Sequence, residues 1–161
     1  HPPHAQLIPG VGLADLVEGV LAARQLGLPA DTQDRLLAAI PAVKEGAKTI
    51  PELADLCLFA LQQRPLTLDP KAQGMISGET RDRLERLLGR LGGVNDWAAE
   101  QLLNELRGFA ETEGVGMGKF GPALRAAISG GVPAPDLASA LAILGRDESL
   151  GRLKDALSHV R

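Results

Sequence analysis

One cation stands out by its setting. Arg125 is the only charged residue in the short run G-P-A-L-R-A-A-I-S, and G-G-V-P-A-P-D follows at once. A guanidinium on an Ala/Leu/Ile helix, facing a turn stiffened by Pro133 and Pro135, would make a small concave cationic site. The plainer alternative is a helix-turn-helix pair whose arginine lays its stem on apolar surface and its head in water. On the residues alone, the plainer alternative is favoured.

The elements that must position Arg125 are legible around it. Upstream lies the glycine-spaced loop G-V-G-M-G-K-F-G; downstream come a second apolar helix stopped by Gly145 and a charged third helix. The loop is no Walker-type phosphate binder, because no Ser or Thr follows Lys119 and no β-branched strand precedes it.

The 161 residues are 45% hydrophobic but only 2% aromatic, so the core is built from Leu, Ala, Ile and Val. Leu and Ala favour helices, and the expected class is all-α: two small helical subdomains forming a bundle. The single cysteine, Cys57, excludes an internal disulfide, fits a reducing cytoplasmic compartment, and reads as a buried inert thiol. No apolar run reaches the ~20 residues of a membrane span, and no signal peptide opens the chain. The formal charge is −3, yet it divides unevenly: residues 115–161 carry +2 and the remainder −5. Only the C-terminal part suits a polyanion, and weakly.

In chain order, residues 1–12 read as an irregular lead-in, in which His1 and His4 make a poor metal site. Helix-period apolar residues run from Leu13 to Leu26, with Gly27 as the stop. The next helix is expected from Thr32 to Val43, with Leu36, Leu37 and Ile40 inward and Pro41 kinking it or ending it early. Thr49 and Glu52 form a capping box for a third helix, and Lys44 and Lys48 precede it. An extended link over residues 62–69 leads to a short helix over 70–75. The helix over 78–91 should bury Leu84, Leu87, Leu88 and Leu91. It should also present Arg81, Arg83, Arg86 and Arg90 on a solvent face laced with Glu79, Asp82 and Glu85. Gly92-Gly93 is the expected boundary between subdomains 13–92 and 93–161. Asn95 or Asp96 caps the following helix, and Trp97, in its first turn, anchors packing. No catalytic constellation is present.

The run L-R-A-A-I-S-G-G-V-P-A-P-D-L, followed by L-A-I-L-G-R-D-E-S-L-G-R-L, resembles the C-terminal end of bacterial glutamyl-tRNA synthetases. N-D-W, L-R-G-F-A-E and E-G-V resemble the family segment entering its second anticodon-binding subdomain, and A-K-T-I-P-E-L-A and R-P-L-T-L-D-P-K-A resemble parts of the first. The resemblance implies an all-helical region that holds a tRNA anticodon loop. It implies a parent class I ligase whose ATP-using catalytic part, with its H-I-G-H-like and K-M-S-K-S-like motifs, is absent from this chain. No cofactor is expected here, nor DNA, membrane or an oligomer.

By the resemblance, Arg125 serves the first or second anticodon base, and Ala134, Pro135 and Leu137 form the wall on which bases lean. The family's Thr/Ser is Ala134 here, which removes one side-chain hydrogen bond. Gly46 stands where members specific for glutamate tRNA commonly carry an arginine that reads the third anticodon base. Its absence implies a ligase that does not discriminate glutamate from glutamine tRNAs, unless Lys44 or Lys48 replaces that arginine. The alternative function is a helical module of the same ancestry that docks a protein such as a tRNA-dependent amidotransferase.

Overall fold

The structure, a computed structural model, describes residues 12–26, 28 and 32–159; His1 and His4 lie outside them. Every regular element among the described residues is helical, as the composition requires. The chain forms two compact units that meet at Leu61/Gln62.

In the first unit, α1 (Leu13–Ala23) and α2 (Gln33–Val43) both pack on α3 (Ile50–Leu61). Val17 and Leu21 of α1, Leu36, Ala39, Ile40 and Val43 of α2, and Leu53, Ala54, Cys57 and Ala60 of α3 fill the core. Cys57 is fully buried, and burial pushes its thiol up to about 11, which suits an inert packing residue.

Helix α1 stops before the glycine that marks its end in the sequence. Gln25 adopts φ 62, and the amides of Gln25 and Leu26 donate to the carbonyls of Ala22 and Leu21. This Schellman closure is made with a glutamine in the left-handed region. Pro41 does not end α2 early: the helix runs to Val43 and tightens into a 3₁₀ turn at Lys44–Gly46. Pro41 leaves the carbonyl of Leu37 without its helical donor, on a face open to water, since Leu37 is half exposed rather than inward. At the start of α3, Glu52 N–H donates to Thr49 Oγ1 at 3.2 Å. The returning bond from Glu52 reaches the amide of Lys48 at 3.3 Å, one residue earlier than in the usual box.

The second unit comprises α4 (Pro70–Met75), α5 (Gly78–Gly92), α6 (Ala99–Glu113), a 3₁₀ turn at Met117–Lys119, α7 (Gly121–Ser129), α8 (Leu137–Leu144) and α9 (Arg146–His159). Helix α7 touches α4, α8 and α9; α9 also packs on α5 and α8, and α6 on α8. Helices α4 and α5 therefore belong with the C-terminal helices, so the division falls about thirty residues before the Gly92-Gly93 pair. The glycines only end α5. Phe109 and Phe120 meet edge to face at 5.1 Å beneath the glycine-spaced loop.

Trp97 lies just before α6, not in its first turn, and Ala98 takes the N-cap position without a side-chain cap. The indole N–H of Trp97 donates to the Leu141 carbonyl at 2.8 Å and ties the approach to α6 onto α8. It is a packing anchor, as its apolar neighbours suggest.

Helix α5 is rotated relative to the expected solvent face. Arg83 is only 7% exposed and shares the buried stripe with Leu84, Leu87 and Leu91, while Leu88 is half-buried. What makes this tolerable is Glu113 at the end of α6. It accepts from Arg83 at 3.1 Å and, through both oxygens, from Arg86 at 2.7 and 2.8 Å. Arg90 pairs with Glu105 of α6 at 3.0 Å, and Arg81 with Glu85 at 2.6 Å. All four arginines are engaged within the protein, which leaves them poorly placed to serve a nucleic acid. The Arg86 hydrogen bonds, then those of Arg83, hold the Glu113 carboxyl well below its usual value, at about 2.

A carboxylate with a depressed folded-state pKa stabilises the fold above its unfolded value and ceases to do so as pH falls through the folded one. Acidification from about pH 4.5 to about pH 2 should therefore loosen the α5–α6 packing. Trp97, the only tryptophan, reports on this unit. Its emission-monitored melting temperature should fall over that window in the parent protein, and Glu113→Gln should start lower and show a flatter dependence.

Candidate functional site

The second unit contains an open cleft of about 470 Å³. Its apolar surface comes from Met75 of α4, Met117 of the glycine-spaced turn, Pro122 and Ala126 of α7, Val132 and Leu137. Its charged groups are Arg125, Lys71 and Asp69. The volume falls within the roughly 300–1,000 Å³ of small-ligand sites, ample for an unstacked nucleobase.

Arg125 is half-buried on α7, and one of its nitrogens is fully committed. Nη1 donates to the Ala134 carbonyl at 3.0 Å and to the Pro135 carbonyl at 2.7 Å. The proline-stiffened turn is thereby fastened to the arginine, and the arginine to the turn. Nε and Nη2 keep three N–H groups with no protein acceptor among the described residues, and no carboxylate pairs with the guanidinium. The plainer of the two readings, a head simply dissolved in water, is thus replaced by a fixed one. A planar donor edge held in place beside apolar walls can take a flat ring bearing adjacent acceptors, or a phosphate.

The turn is shaped by close approaches. Ser129 Oγ donates to the Arg125 carbonyl at 2.6 Å and accepts from the Gly131 amide at 3.3 Å. Gly130 and Gly131 have φ of 70 and 103. A Cβ at Gly131 would lie 2.6 Å from Asp69 Oδ2, so both conformation and space demand glycine there. Asp69 is held in turn by capping α4, accepting from the Ala72 amide at 2.7 Å. Asp136 caps α8 through the Ser139 amide at 3.2 Å, which sets Leu137 at the cleft.

Arg152 is the functional support that sequence reasoning overlooked. Fully buried in α9, it donates to the Ile128 carbonyl at 2.8 Å, the Gln62 carbonyl at 2.9 Å and Glu148 at 2.8 Å. Ile128 lies in the last turn of α7, where carbonyls lack helical donors. The sequence signal was present but weak: an arginine four residues after Glu148, with Ser149, Leu153 and Ala156 on the same buried face.

Of the seven residues singled out from the sequence, Arg125, Ala134, Pro135 and Leu137 come together at this cleft or the turn beside it. Lys44, Gly46 and Lys48 lie in the first unit, in and beside the 3₁₀ turn between α2 and α3, and all three are exposed. A Cβ at Gly46 would meet only Leu56 Cδ1, at an ordinary 3.6 Å.

A family model described as an anticodon binding domain matches residues 13–157. The glutamate–tRNA ligase of Caulobacter sp. (strain K31) is 53% identical over 146 residues, covering 91% of this chain and 31% of that protein. The glutamate–tRNA ligase of Phenylobacterium zucineum is 54% identical over the same length and share. The chain thus spans about a third of these relatives. Among solved structures, a glutamate tRNA ligase from Elizabethkingia meningosepticum, in complex with its amino acid, superposes with a TM-score of 0.75. It is 24% identical and covers 98% of this chain and 30% of that one, a likeness of fold.

Replacing Arg152 with methionine keeps most of its volume but leaves the Ile128 and Gln62 carbonyls buried without a donor. Loss of a partner from such a network costs about 3–5 kcal/mol. Urea unfolding followed by Trp97 emission should show a midpoint lowered accordingly, while Arg152→Lys should recover only part of the loss, having no fork to reach both carbonyls.

Proposed function

The chain belongs to the anticodon binding domain family, and on that premise we propose that it is the tRNA-anticodon-recognising part of a glutamate–tRNA ligase. The observation that carries the reading is the Arg125 guanidinium, fixed by two carbonyls at the edge of an apolar cleft with three N–H groups to spare. Anticodon bases are unstacked and present both π faces and hydrogen-bonding edges. Met75, Met117, Pro122 and Leu137 supply surface against which such a base lies, and Arg125 supplies donors to its edge. Ala134 contributes its carbonyl to holding the arginine, a role that needs no hydroxyl. Catalysis and ATP belong to the portion of the ligase outside this chain.

The test is binding of a hairpin carrying the glutamate anticodon, compared with one whose anticodon is scrambled. The parent chain should prefer the former. Arg125→Ala should weaken it by about 1–3 kcal/mol and erase most of the preference, if base-edge magnitudes from duplex readout carry over. Equal binding of both hairpins by the parent chain would refute the reading.

The proposal extends to the third anticodon base. Gly46 has no side chain with which to tell C from G, so the ligase carrying this chain charges both glutamate and glutamine tRNAs with glutamate. The second product would then need an amidotransferase. Space around Gly46 allows a larger residue without a backbone clash. Side-by-side aminoacylation should give comparable kcat/KM for the two tRNAs. Gly46→Arg should penalise the glutamine tRNA by about 1–3 kcal/mol. A strong preference for glutamate tRNA in the unmodified enzyme would contradict relaxed discrimination and point to Lys44 or Lys48.

A further inference from the structure

The net charge of −3 hides where the usable positive charge lies. In the second unit most arginines are occupied. Arg64 makes a two-pronged pair with Asp155, Arg83 and Arg86 share Glu113, Arg90 holds Glu105, and Arg81 holds Glu85. Arg146 donates to the Gly92 and Val94 carbonyls, and Arg152 is buried in its network. The described cations of the second unit with neither an ion pair nor an acceptor carboxylate are Lys71, Arg107, Lys119, Arg125 and Lys154. Two of these, Lys71 and Arg125, line the same cleft. Lys119 follows Met117 and Gly118, which also line it. Lys119 is exposed, one residue along the chain from that lining. The one acid on the lining, Asp69, is committed to the α4 cap.

We propose that Lys71 and Lys119 are the phosphate-binding residues of this cleft, gripping the backbone of a single-stranded RNA loop whose bases enter beside Arg125. The inference rests on reading the cleft as the anticodon-loop site. The division of labour follows from side-chain mechanics. Arg125 is planar and fastened by its Nη1, which suits reading an edge whose position must not vary. Lys71 and Lys119 are exposed ammonium groups on flexible stems, which suit phosphates whose position differs from one loop to the next.

The two roles separate experimentally. Phosphate contacts release counterions, so each contributes about 0.7–1 to the slope of log affinity against log salt and is blind to base identity. The complete chain is titrated with the glutamate-anticodon hairpin and with its scrambled counterpart, over roughly 50 to 200 mM salt. Lys71→Ala and Lys119→Ala should each weaken both hairpins by the same factor, several-fold at the lowest salt. Each should also lower the slope by about 0.7–1. Lys154→Ala, an exposed lysine of α9 away from the cleft lining, should leave the slope unchanged. Both rim lysines are exposed, so the variants should keep the far-ultraviolet circular dichroism and Trp97 emission of the parent. Anticodon-dependent binding with an unaltered slope in both lysine variants would overturn the phosphate rim while leaving Arg125 as the base reader. An equal slope loss in Lys154→Ala would also overturn it, since the charge would then act at no particular place. Absence of binding by either hairpin would overturn the rim and the cleft reading together.

Discussion

A buried guanidinium governs the second unit. Arg152 reaches the last turn of α7 and the carbonyl of Gln62 at once, while Glu148 balances its charge from one turn away on the same helix. Burying an arginine is costly unless its donors are met, and its planar fork serves spread-out carbonyls that a lysine could not. Because α7 ends under that grip, its preceding turn is held in direction, and Arg125 sits on that turn. The chain then reverses through Gly130 and Gly131, pressed against Thr67 and Asp69, and returns as the turn whose carbonyls receive Arg125. The two arginines thus stand on packed helices, α9 and α7, joined by backbone that both hold.

The same residue type has opposite work in the two places. Arg152 has its donors turned inward and offers nothing to a ligand. Arg125 spends one nitrogen on the protein and keeps the opposite edge. That partial commitment matters for recognition: a guanidinium with no internal bonds must lose rotamer freedom on binding, whereas this one has lost much of it in folding. Lys71, exposed on the cleft lining, lies at the other extreme and keeps its rotamer freedom.

Much of this arrangement was legible because local chemistry and tertiary context agree. The Ala/Leu-rich composition favours helices, and Thr49 caps α3 through the Glu52 amide as its spacing suggests. The illegible parts are those where long-range partners outvoted local preference. Glu113, some thirty residues away, draws Arg83 inside. Gln25 closes α1 although Gly27 stands two residues on. Gly92-Gly93 looks like a boundary, yet α5 belongs to the unit that follows because α9 packs on it. For the site, the lone arginine and the Pro-Ala-Pro turn announced themselves. What held them did not, because a glutamate and an arginine one turn apart on a charged helix ordinarily face water.

The central claim, that a pre-fixed Arg125 edge receives the RNA, has a direct readout in the nitrogen resonances of arginine side chains. In ¹⁵N-labelled chain titrated with the glutamate-anticodon hairpin, the Arg125 Nε–H signal should shift as the complex forms. That of Arg152, satisfied entirely by protein, should stay in place. A hairpin that binds while leaving the Arg125 signal unmoved would contradict the account.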